Sequence, residues 1–374
     1  MTPKDLDEQL TKYLTDIHSI EAQALAQMRT APKLAGDGQI AQAFSDHLDE
    51  TAQHGRLISQ RLEARGAKRA TIKDLAGTLT GKGFGAFAAA QPDTPGKLVV
   101  HAFSYEHMEE AAYDLLGKVA ERAGDLDTVA VARQIELQER MMGDRLGGLF
   151  DRAVDASLRD LGPDDMGKQL DKYLADVHAI EGQSLALLDK GTKLAGSSEL
   201  EAAYAEHHAQ TEEQRRLVAA RLEHRGSAPS RLKDAALRLG ALNWGAFFAA
   251  QPDTPAKLVA FAYAVEHLEV AAYETLWRVA ARAGDQETVQ MAERILEQER
   301  TAAERIRSLF DQALDAALDA AGHRGALIGA GHAPCCQLAP SVRPSTTTGR
   351  ASSRIHANRH GTVPRLCQRW FVPR

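Results

Sequence analysis

Apolar residues recur every three or four positions along most of the chain, which is the spacing of amphipathic α-helices. Within residues 1–160, this spacing is interrupted where Gly and Pro cluster, and such clusters end helices. The pattern predicts four helices in this half, at about residues 4–30, 39–65, 96–124 and 127–158. The second and third helices are joined by a long connection rich in Gly and Ala, over about residues 67–95, in which one short helix is expected.

The whole pattern occurs twice, at a constant offset of 160 residues. Lys12–Leu14 recurs as Lys172–Leu174, and Gln91–Pro95 recurs as Gln251–Pro255. The two halves align without an insertion, which indicates duplication of a whole domain rather than an array of small repeats. A Gly-Pro pair just after residue 161 provides a helix stop at the join.

Two short connections that flank one long crossover are typical of ferritin-like four-helix bundles. We therefore predict an all-α fold of two tandem ferritin-like bundles, copy one over residues 1–160 and copy two over residues 161–320. Each bundle has its long crossover between helices 2 and 3. The composition agrees, because aromatic residues are scarce and Ala, Leu, Glu and Arg, which favour helix, are abundant.

Composition also bears on location and partners. No apolar stretch approaches the roughly 20 residues that a membrane-spanning helix needs, and the first residues lack the apolar region of a signal peptide. We therefore expect a cytoplasmic protein with no membrane partner. The net charge is −6, but residues 321–374 hold eight Arg and no acidic residue, which leaves −14 on residues 1–320. An acidic body argues against nucleic acid as a partner.

Residues 321–374 differ from the rest of the chain. They lack helical periodicity and are rich in Gly, Pro, Ser, Thr and Arg, which predicts a disordered tail. All three cysteines, Cys335, Cys336 and Cys367, lie in this tail, and their spacing fits no standard metal site. A frameshifted terminus and a segment that docks into a protein shell both stay open as interpretations.

Acidic residues lie at the centre of apolar helix faces, which normally point into a bundle core. On a helical wheel, Glu21 is central to the apolar stripe of helix 1, and Glu139 is central to that of helix 4. Glu109 is central to the stripe of helix 3, with Glu106 beside it one turn earlier. No Lys or Arg is central on any stripe, so these carboxylates are expected to converge without a balancing side chain.

Helix 2 carries a different set of polar residues. Its stripe has Thr51 at the centre, with His47 and His54 close by. Glu50 lies at the edge of the stripe, one turn before His54, and the two are expected to act as a pair. His107 and His267 lie on the opposite side of their helix from its apolar stripe, which predicts an outer or dimer-facing surface for them.

Copy two keeps most of these residues. Glu50 and His54 become Gln210 and Gln214, so a weaker site, or none, is expected there. A buried carboxylate without a partner costs several kcal/mol, and a hard metal cation would resolve the repulsion among several of them. The candidate metal ligands are Glu21, His47, Glu50, His54, Glu106, Glu109 and Glu139 in copy one, and Glu181, His207, Glu266, Glu269 and Glu299 in copy two.

At these residues the sequence resembles the YciE/YciF-type ferritin-like family, also known as domain of unknown function 892. The resemblance covers nearly all of both copies and none of the tail. It implies a ferritin-like bundle, a di-metal site and an association with bacterial stress responses. Ferritin-like enzymes usually carry Glu-x-x-His on helix 2, whereas this chain has Thr51 in the Glu position. The segments that carry the resemblance are His47–His54, Tyr105–Tyr113 and Glu136–Arg140, with Val265–Tyr273 and Leu296–Arg300 in copy two.

Two functional hypotheses follow. The first is a stress-associated di-metal carboxylate protein, binding iron or manganese in copy one, that oxidises Fe(II) or consumes peroxide as a ferroxidase or peroxidase-like oxidoreductase. The two copies would then form an internal pseudo-dimer, with further homo-oligomerisation left open. The second is a non-catalytic helical scaffold or interaction protein with a degenerate metal site, whose core acids are protonated or hydrogen-bonded to one another.

Overall fold

The computed structural model describes residues 3–66, 94–230 and 254–320, and every regular element in these ranges is an α-helix. The predicted all-α fold of two similar halves is confirmed. The helices, numbered along the chain, are α1 Pro3–Met28, α2 Ala31–Leu34, α3 Gly38–Ala64, α4 Thr94–Ala123, α5 Leu126–Gly147, α6 Phe150–Leu158, α7 Pro163–Leu194, α8 Ser198–His224, α9 Thr254–Arg282, α10 Gln286–Ser308 and α11 Phe310–Ala320.

Some predicted features lie outside the described residues. The segments 67–93 and 231–253 contain nearly all of the two predicted crossovers and the expected short helix. The predicted tail over residues 321–374, with its three cysteines, also lies outside them.

The helix ends in copy one have local causes that the sequence shows. Asp37 caps α3, because its side chain accepts hydrogen bonds from the backbone N–H groups of Gln39 and Ile40. Just before it, Gly36 has φ of +65°, a left-handed conformation that other residues rarely adopt. A Cβ at Gly36 would also lie 2.7 Å from Cγ of Pro95, so glycine lets this turn pack against the start of α4.

The predicted fourth helix is interrupted in both copies, which the sequence pattern did not indicate. In copy one, Leu149 leaves the helical conformation with ψ of 1° and separates α5 from α6. In copy two, Leu309 does the same between α10 and α11. Gly148 is not the cause, because copy two has Ser308 there and still breaks. The residue after each break is a buried phenylalanine, so the break directs an aromatic ring into the core.

In each half, four long helices pack around an apolar core. In copy one, α1 contacts α3 and α4, while α5 completes the bundle by contacting α3 and α4; α7, α8, α9 and α10 repeat this arrangement in copy two. Leu14, Phe44, Leu116 and Ile135, one from each helix of copy one, are fully buried. Burial of one such side chain contributes about 1.5–3 kcal/mol.

The two halves contact each other mainly through α4 and α9. Equivalent positions of the two copies meet there: the hydroxyl of Ser104 donates a hydrogen bond of 2.7 Å to the carbonyl of Ala264, its counterpart 160 residues later. His107 stacks on its own counterpart, His267, with ring centroids 3.7 Å apart. The contact therefore resembles one across a two-fold axis. Among the described helices, none is long and apolar enough to cross a membrane.

Candidate metal centre

Copy one gathers its central polar residues in the bundle core. α1 contributes Glu21, α3 contributes two histidines, α4 contributes two glutamates, and α5 contributes Glu139. Each of these side chains belongs to a residue that is at most 2% exposed. The set, called the copy-one cluster below, is Glu21, His47, His54, Glu106, Glu109 and Glu139.

One half of the copy-one cluster joins α1, α3 and α5. Nδ1 of His54 lies 2.8 Å from Oε1 of Glu139 and 3.8 Å from Oε1 of Glu21. Nε2 of His54 lies 3.2 Å from the amide oxygen of Gln138, which can only accept, so this nitrogen carries the proton of a neutral ring. Nδ1 then presents a lone pair toward a carboxylate oxygen. Two acceptors this close require a proton or a cation between them.

The other half joins α3, α4 and α5. Nε2 of His47 lies 3.0 Å from Oε2 of Glu106 and 3.4 Å from Oε2 of Glu139. Glu139 therefore belongs to both halves, through a different oxygen in each. In each half, one ligand atom from each of the three residues lies within 4.8 Å of the others, which is close enough for them to hold one metal ion.

Glu109 lies in the same core but in neither of these two groups. Both of its carboxylate oxygens are buried and lack a hydrogen-bond partner among the described residues. Burial, and then the charges of Glu139 and Glu21, raise the pKa of Glu109 well above its usual value. Its carboxyl group is therefore protonated in the bare protein, or ionised beside a cation.

The electrostatics of the copy-one cluster show how strongly it disfavours bare negative charge. Burial, and then Glu139, raise the pKa of Glu21 to about 8. Burial, and then Glu106, raise the pKa of Glu139 well above its usual value. Burial disfavours the charged form of His47, but Glu106 and Glu139 outweigh burial and raise the pKa of His47 to about 11. Among the described residues, no Lys or Arg forms an ion pair with a cluster glutamate.

Surrounding groups orient the cluster side chains. Glu50 is 47% exposed, and its Oε2 lies 3.0 Å from Nδ1 of His47, so Nδ1–H donates to it and Nε2 faces the core. A carboxylate behind a histidine in this way is a recurrent feature of metal sites. The hydroxyl of Thr51 donates to the carbonyl of His47, and the hydroxyl of Tyr113 donates to Oε1 of Glu21.

The structure therefore does not place Glu50 against His54, with which it was predicted to pair. Glu50 contacts His47, one turn earlier on α3, while His54 contacts Gln138 on α5. Direct ligation by Glu50 stays a prediction. The sequence analysis did not single out Gln138, although the Gln-Glu-Arg segment at residues 138–140 recurs at residues 298–300 and gave a signal.

Copy two has a smaller cluster with one histidine. Nε2 of His207 lies 2.8 Å from Oε2 of Glu266, 3.8 Å from Oε2 of Glu299 and 3.9 Å from Oε2 of Glu269. These four buried residues form one candidate group. Where copy one has His54, Gln214 donates a hydrogen bond of 3.2 Å to the amide oxygen of Gln298.

The acids of copy two are also perturbed. Burial raises the pKa of Glu269 to about 7, with Glu266 acting in the same direction. Burial and Glu269 raise the pKa values of Glu181 and Glu299 well above their usual range. Oε1 of Glu181 accepts a hydrogen bond from the hydroxyl of Tyr273, as Glu21 does from Tyr113. Glu181 is thus held beside the candidate group without belonging to it.

His107 and His267 lie outside both clusters. Nδ1–H of each ring donates to the carbonyl four residues earlier, and the stacked rings occupy the contact between α4 and α9. Burial lowers the pKa of His107, and burial together with the neighbouring His107 ring lowers that of His267. The rings are therefore neutral and face the other copy.

Chemically, carboxylate and imidazole ligands of this kind suit iron, manganese or zinc. Buried acidic and histidine groups are compatible with a ferritin-like metal site in both halves. No curated protein and no solved structure matches the chain in the comparisons made. One family model does match, described as a domain of unknown function, DUF892, over residues 5–159 and again over residues 166–319. The chain belongs to the DUF892 family and carries two tandem copies of its domain.

Proposed function

We propose that the copy-one cluster binds two divalent metal ions that share Glu139. One ion would be held by Glu21, His54 and Glu139, and the other by His47, Glu106 and Glu139. The observation that carries this proposal is a set of fully buried carboxylates with no Lys or Arg partner in the described residues. Glu109 is the remaining acid within reach of the core, and its two unpartnered oxygens make it a further ligand.

The charges support two ions rather than one. The copy-one cluster holds four glutamates, which carry four negative charges when ionised. Two divalent ions balance these charges if both histidines are neutral. The orientation of the rings fits neutral ligands, because each histidine uses its outer nitrogen to donate to Glu50 or Gln138. A single ion would leave buried negative charge or require protonated carboxyl groups.

With iron or manganese bound, such a centre supplies redox chemistry toward dioxygen or peroxide. We propose that the protein oxidises Fe(II) or consumes peroxide, and that it does so under stress, as the resemblance to the YciE/YciF-type family implies. The apolar side chains packed around the core would hold the ligand side chains in place and limit the access of solvent to the metal centre. Tyr113, hydrogen-bonded to Glu21, keeps its proton, because burial and Glu21 raise its pKa well above 10.

Copy two supports a lesser role. It presents one group of four residues around His207, with Gln214 in place of the second histidine. We propose that copy two binds a single ion more weakly, or serves as the structural partner of copy one. The meeting of equivalent residues across α4 and α9 supports an internal pseudo-dimer that replaces a homodimer of single-domain proteins.

A non-catalytic scaffold is the second candidate. The raised pKa values of the buried glutamates favour it, because protonated acids could share protons with the histidines without any metal. This reading predicts that the protein, purified without chelators, contains no stoichiometric metal. It also predicts that added Fe(II) or Mn(II) leaves the melting temperature unchanged.

Total metal content decides between the two candidates. We expect about two equivalents of iron or manganese bound in copy one. Glu139→Gln should lose both ions because this residue belongs to both groups, whereas the matched Glu299→Gln should leave them in place. Oxidation of Fe(II) substrate, or loss of peroxide, should be faster than with free iron. Absence of metal from wild-type protein after incubation with Fe(II) and Mn(II) would contradict the proposal.

A further inference from the structure

A cleft with a mostly apolar lining surface extends from the surface of copy one toward its cluster. It lies between α1 and α3 and has a volume of about 400 Å³. Polar groups from both helices line it, including His18, Arg56 and Ser59, and His18 and Ser59 are 3.1 Å apart. Its inner lining includes Glu21 of the copy-one cluster and Thr51. The cleft therefore borders Glu21, a candidate ligand.

Gly55 keeps this cleft open beside the cluster. It lies on α3 and lines the cleft one residue after His54. A Cβ built on Gly55 would have Cβ of Glu21 as its nearest neighbour, 4.0 Å away. Any longer side chain at this position would therefore extend into the space between α1 and α3, next to Glu21.

Copy two has an arginine at the equivalent position. Arg215 replaces Gly55, and its guanidinium group lies across α7. Nε of Arg215 is 3.4 Å from the backbone carbonyl of His178 and donates to it. A Cβ built on Gly182 would lie only 3.3 Å from Nε and 3.4 Å from Cζ of Arg215. The arginine thus covers Gly182, which is buried.

The two copies differ by a coupled exchange. Copy one has Ala22 facing the cleft that Gly55 leaves open, and Ala22 is partly exposed. Copy two has Gly182 at the position of Ala22 and Arg215 at that of Gly55. The glycine of this pair is on α3 in copy one and on α7 in copy two. Arg215 therefore has room to lie against α7 at Gly182. The two copies therefore differ at these two positions in both the size and the charge of their side chains.

We propose that the cleft at Gly55 is the route by which hydrated divalent cations reach the copy-one cluster, and that Arg215 closes the equivalent route in copy two. The proposal rests on the proposed function, because it presupposes a metal centre in copy one. The guanidinium group of Arg215 lies within this path and obstructs it by its size, whereas Arg56 of copy one is exposed at the surface.

The test exchanges the two residue pairs and follows entry of Mn(II). Metal-free protein is mixed with Mn(II), entry is stopped with excess chelator at increasing times, and protein-bound manganese is counted. Ala22→Gly/Gly55→Arg should slow uptake by copy one about tenfold or more while leaving the final content unchanged. Gly182→Ala/Arg215→Gly should speed any uptake by copy two.

Two controls show whether the effect is specific. Gly55→Ala should keep the wild-type rate, because its Cβ has room. Arg216→Ala removes the exposed neighbouring arginine, which pairs with Glu213 on the surface, and should not change uptake by copy two. If Ala22→Gly/Gly55→Arg lowers the final manganese content, the deciding variant becomes Ala22→Gly/Gly55→Leu, which closes the cleft without added charge.

The outcomes separate the entry route from the proposed function. The two closed variants are Ala22→Gly/Gly55→Arg and Ala22→Gly/Gly55→Leu. If both take up Mn(II) at the wild-type rate and to full final content, the entry route is overturned and the metal centre is left intact. No uptake by wild-type protein, even after long incubation, would overturn the metal centre and the route with it. Slow uptake to the normal final content in a closed variant supports both.

Discussion

At the scale of single residues, Glu50 contacts the copy-one cluster from outside, because its Oε2 lies 3.0 Å from Nδ1 of His47. Glu21, Glu109 and Glu139 lie buried in the core itself. The contact of Glu50 with His47 does not follow from helical spacing alone. Residues three and four positions apart on a helix both lie close together, so the sequence allowed Glu50 to contact either His47 or His54. The structure shows that Glu50 contacts His47.

The contact between Glu50 and His47 predicts a defined effect for Glu50→Gln. If Glu50 orients the His47 ring from outside the core, the variant should bind metal about 10–100-fold more weakly and still reach full content at saturation. Competition titration with a chelator measures this change. Asp49→Asn, a change at an exposed neighbour, is the control and should leave affinity unchanged. Loss of one equivalent at saturation would instead make Glu50 a direct ligand.

The raised pKa values predict the pH dependence of metal binding. Glu21, with a pKa raised to about 8, holds its proton at pH 7 in the metal-free protein. Metal binding requires the carboxylate and releases this proton. It also displaces the proton of His47, whose pKa is raised to about 11, so apparent affinity should rise with pH through and beyond 8. Without metal, the same shift makes the contribution of Glu21 to folding stability fall as pH rises from about 4.5 to about 8.

Calorimetry in two buffers with different ionisation enthalpies counts the released protons. Net proton release near pH 7 is expected for wild-type protein. Glu139→Gln, which disrupts both groups of the copy-one cluster, should release fewer protons. Binding that takes up protons, or that is independent of pH between about 6 and 8, would contradict the assignment of these carboxylates as ligands.

At the scale of helices, the sequence predicted their type and the approximate ends of the long helices, because caps and glycines mark them, but it did not predict their number. The break within the predicted fourth helix was missed for a physical reason. Only one residue, Leu149 in copy one and Leu309 in copy two, departs from helical geometry, so the apolar spacing continues across it. The segments 67–93 and 231–253 lie outside the described residues, so the interior of each predicted crossover stays a prediction.

Two glycines of copy one should differ sharply when changed to alanine. Gly36→Ala places a side chain in a left-handed turn and 2.7 Å from Pro95, which should cost at least about 1–2 kcal/mol in unfolding free energy. Gly148→Ala, at φ of −72°, should change it by less than about 0.5 kcal/mol, because copy two breaks its helix without glycine. Denaturant unfolding of both variants compares them, and equal costs would contradict this account.

At the scale of the whole molecule, the repeat in the sequence predicts an internal pseudo-dimer, but it does not predict which residues of the two copies contact each other. Helical wheels identify one apolar face per helix, whereas α9 is buried on nearly all sides because it contacts both its own bundle and α4. The contact is also asymmetric. Glu110 of copy one is buried and accepts hydrogen bonds from Arg140 and from Arg307 of copy two, whereas its counterpart is Val270.

This asymmetric ion pair predicts how the two copies support each other. Arg307→Ala removes one of the two arginines from buried Glu110 and should destabilise the protein by about 1–3 kcal/mol. Adding Glu110→Val, as copy two has, should recover part of this loss, because no buried carboxylate is then left underpaired. Arg305→Ala breaks only an exposed pair with Glu206 and serves as the control. A double variant less stable than Arg307→Ala would contradict this explanation.

The central claim is that two metal ions lie in the copy-one cluster and share Glu139. Crystals of the protein soaked with Mn(II), with anomalous diffraction recorded, test it most directly. We expect two anomalous peaks in copy one, one beside Glu21 and His54 and the other beside His47 and Glu106, with at most one peak near His207 in copy two. A well-ordered copy-one core with no peak, and with its glutamates hydrogen-bonded to one another, would contradict the claim.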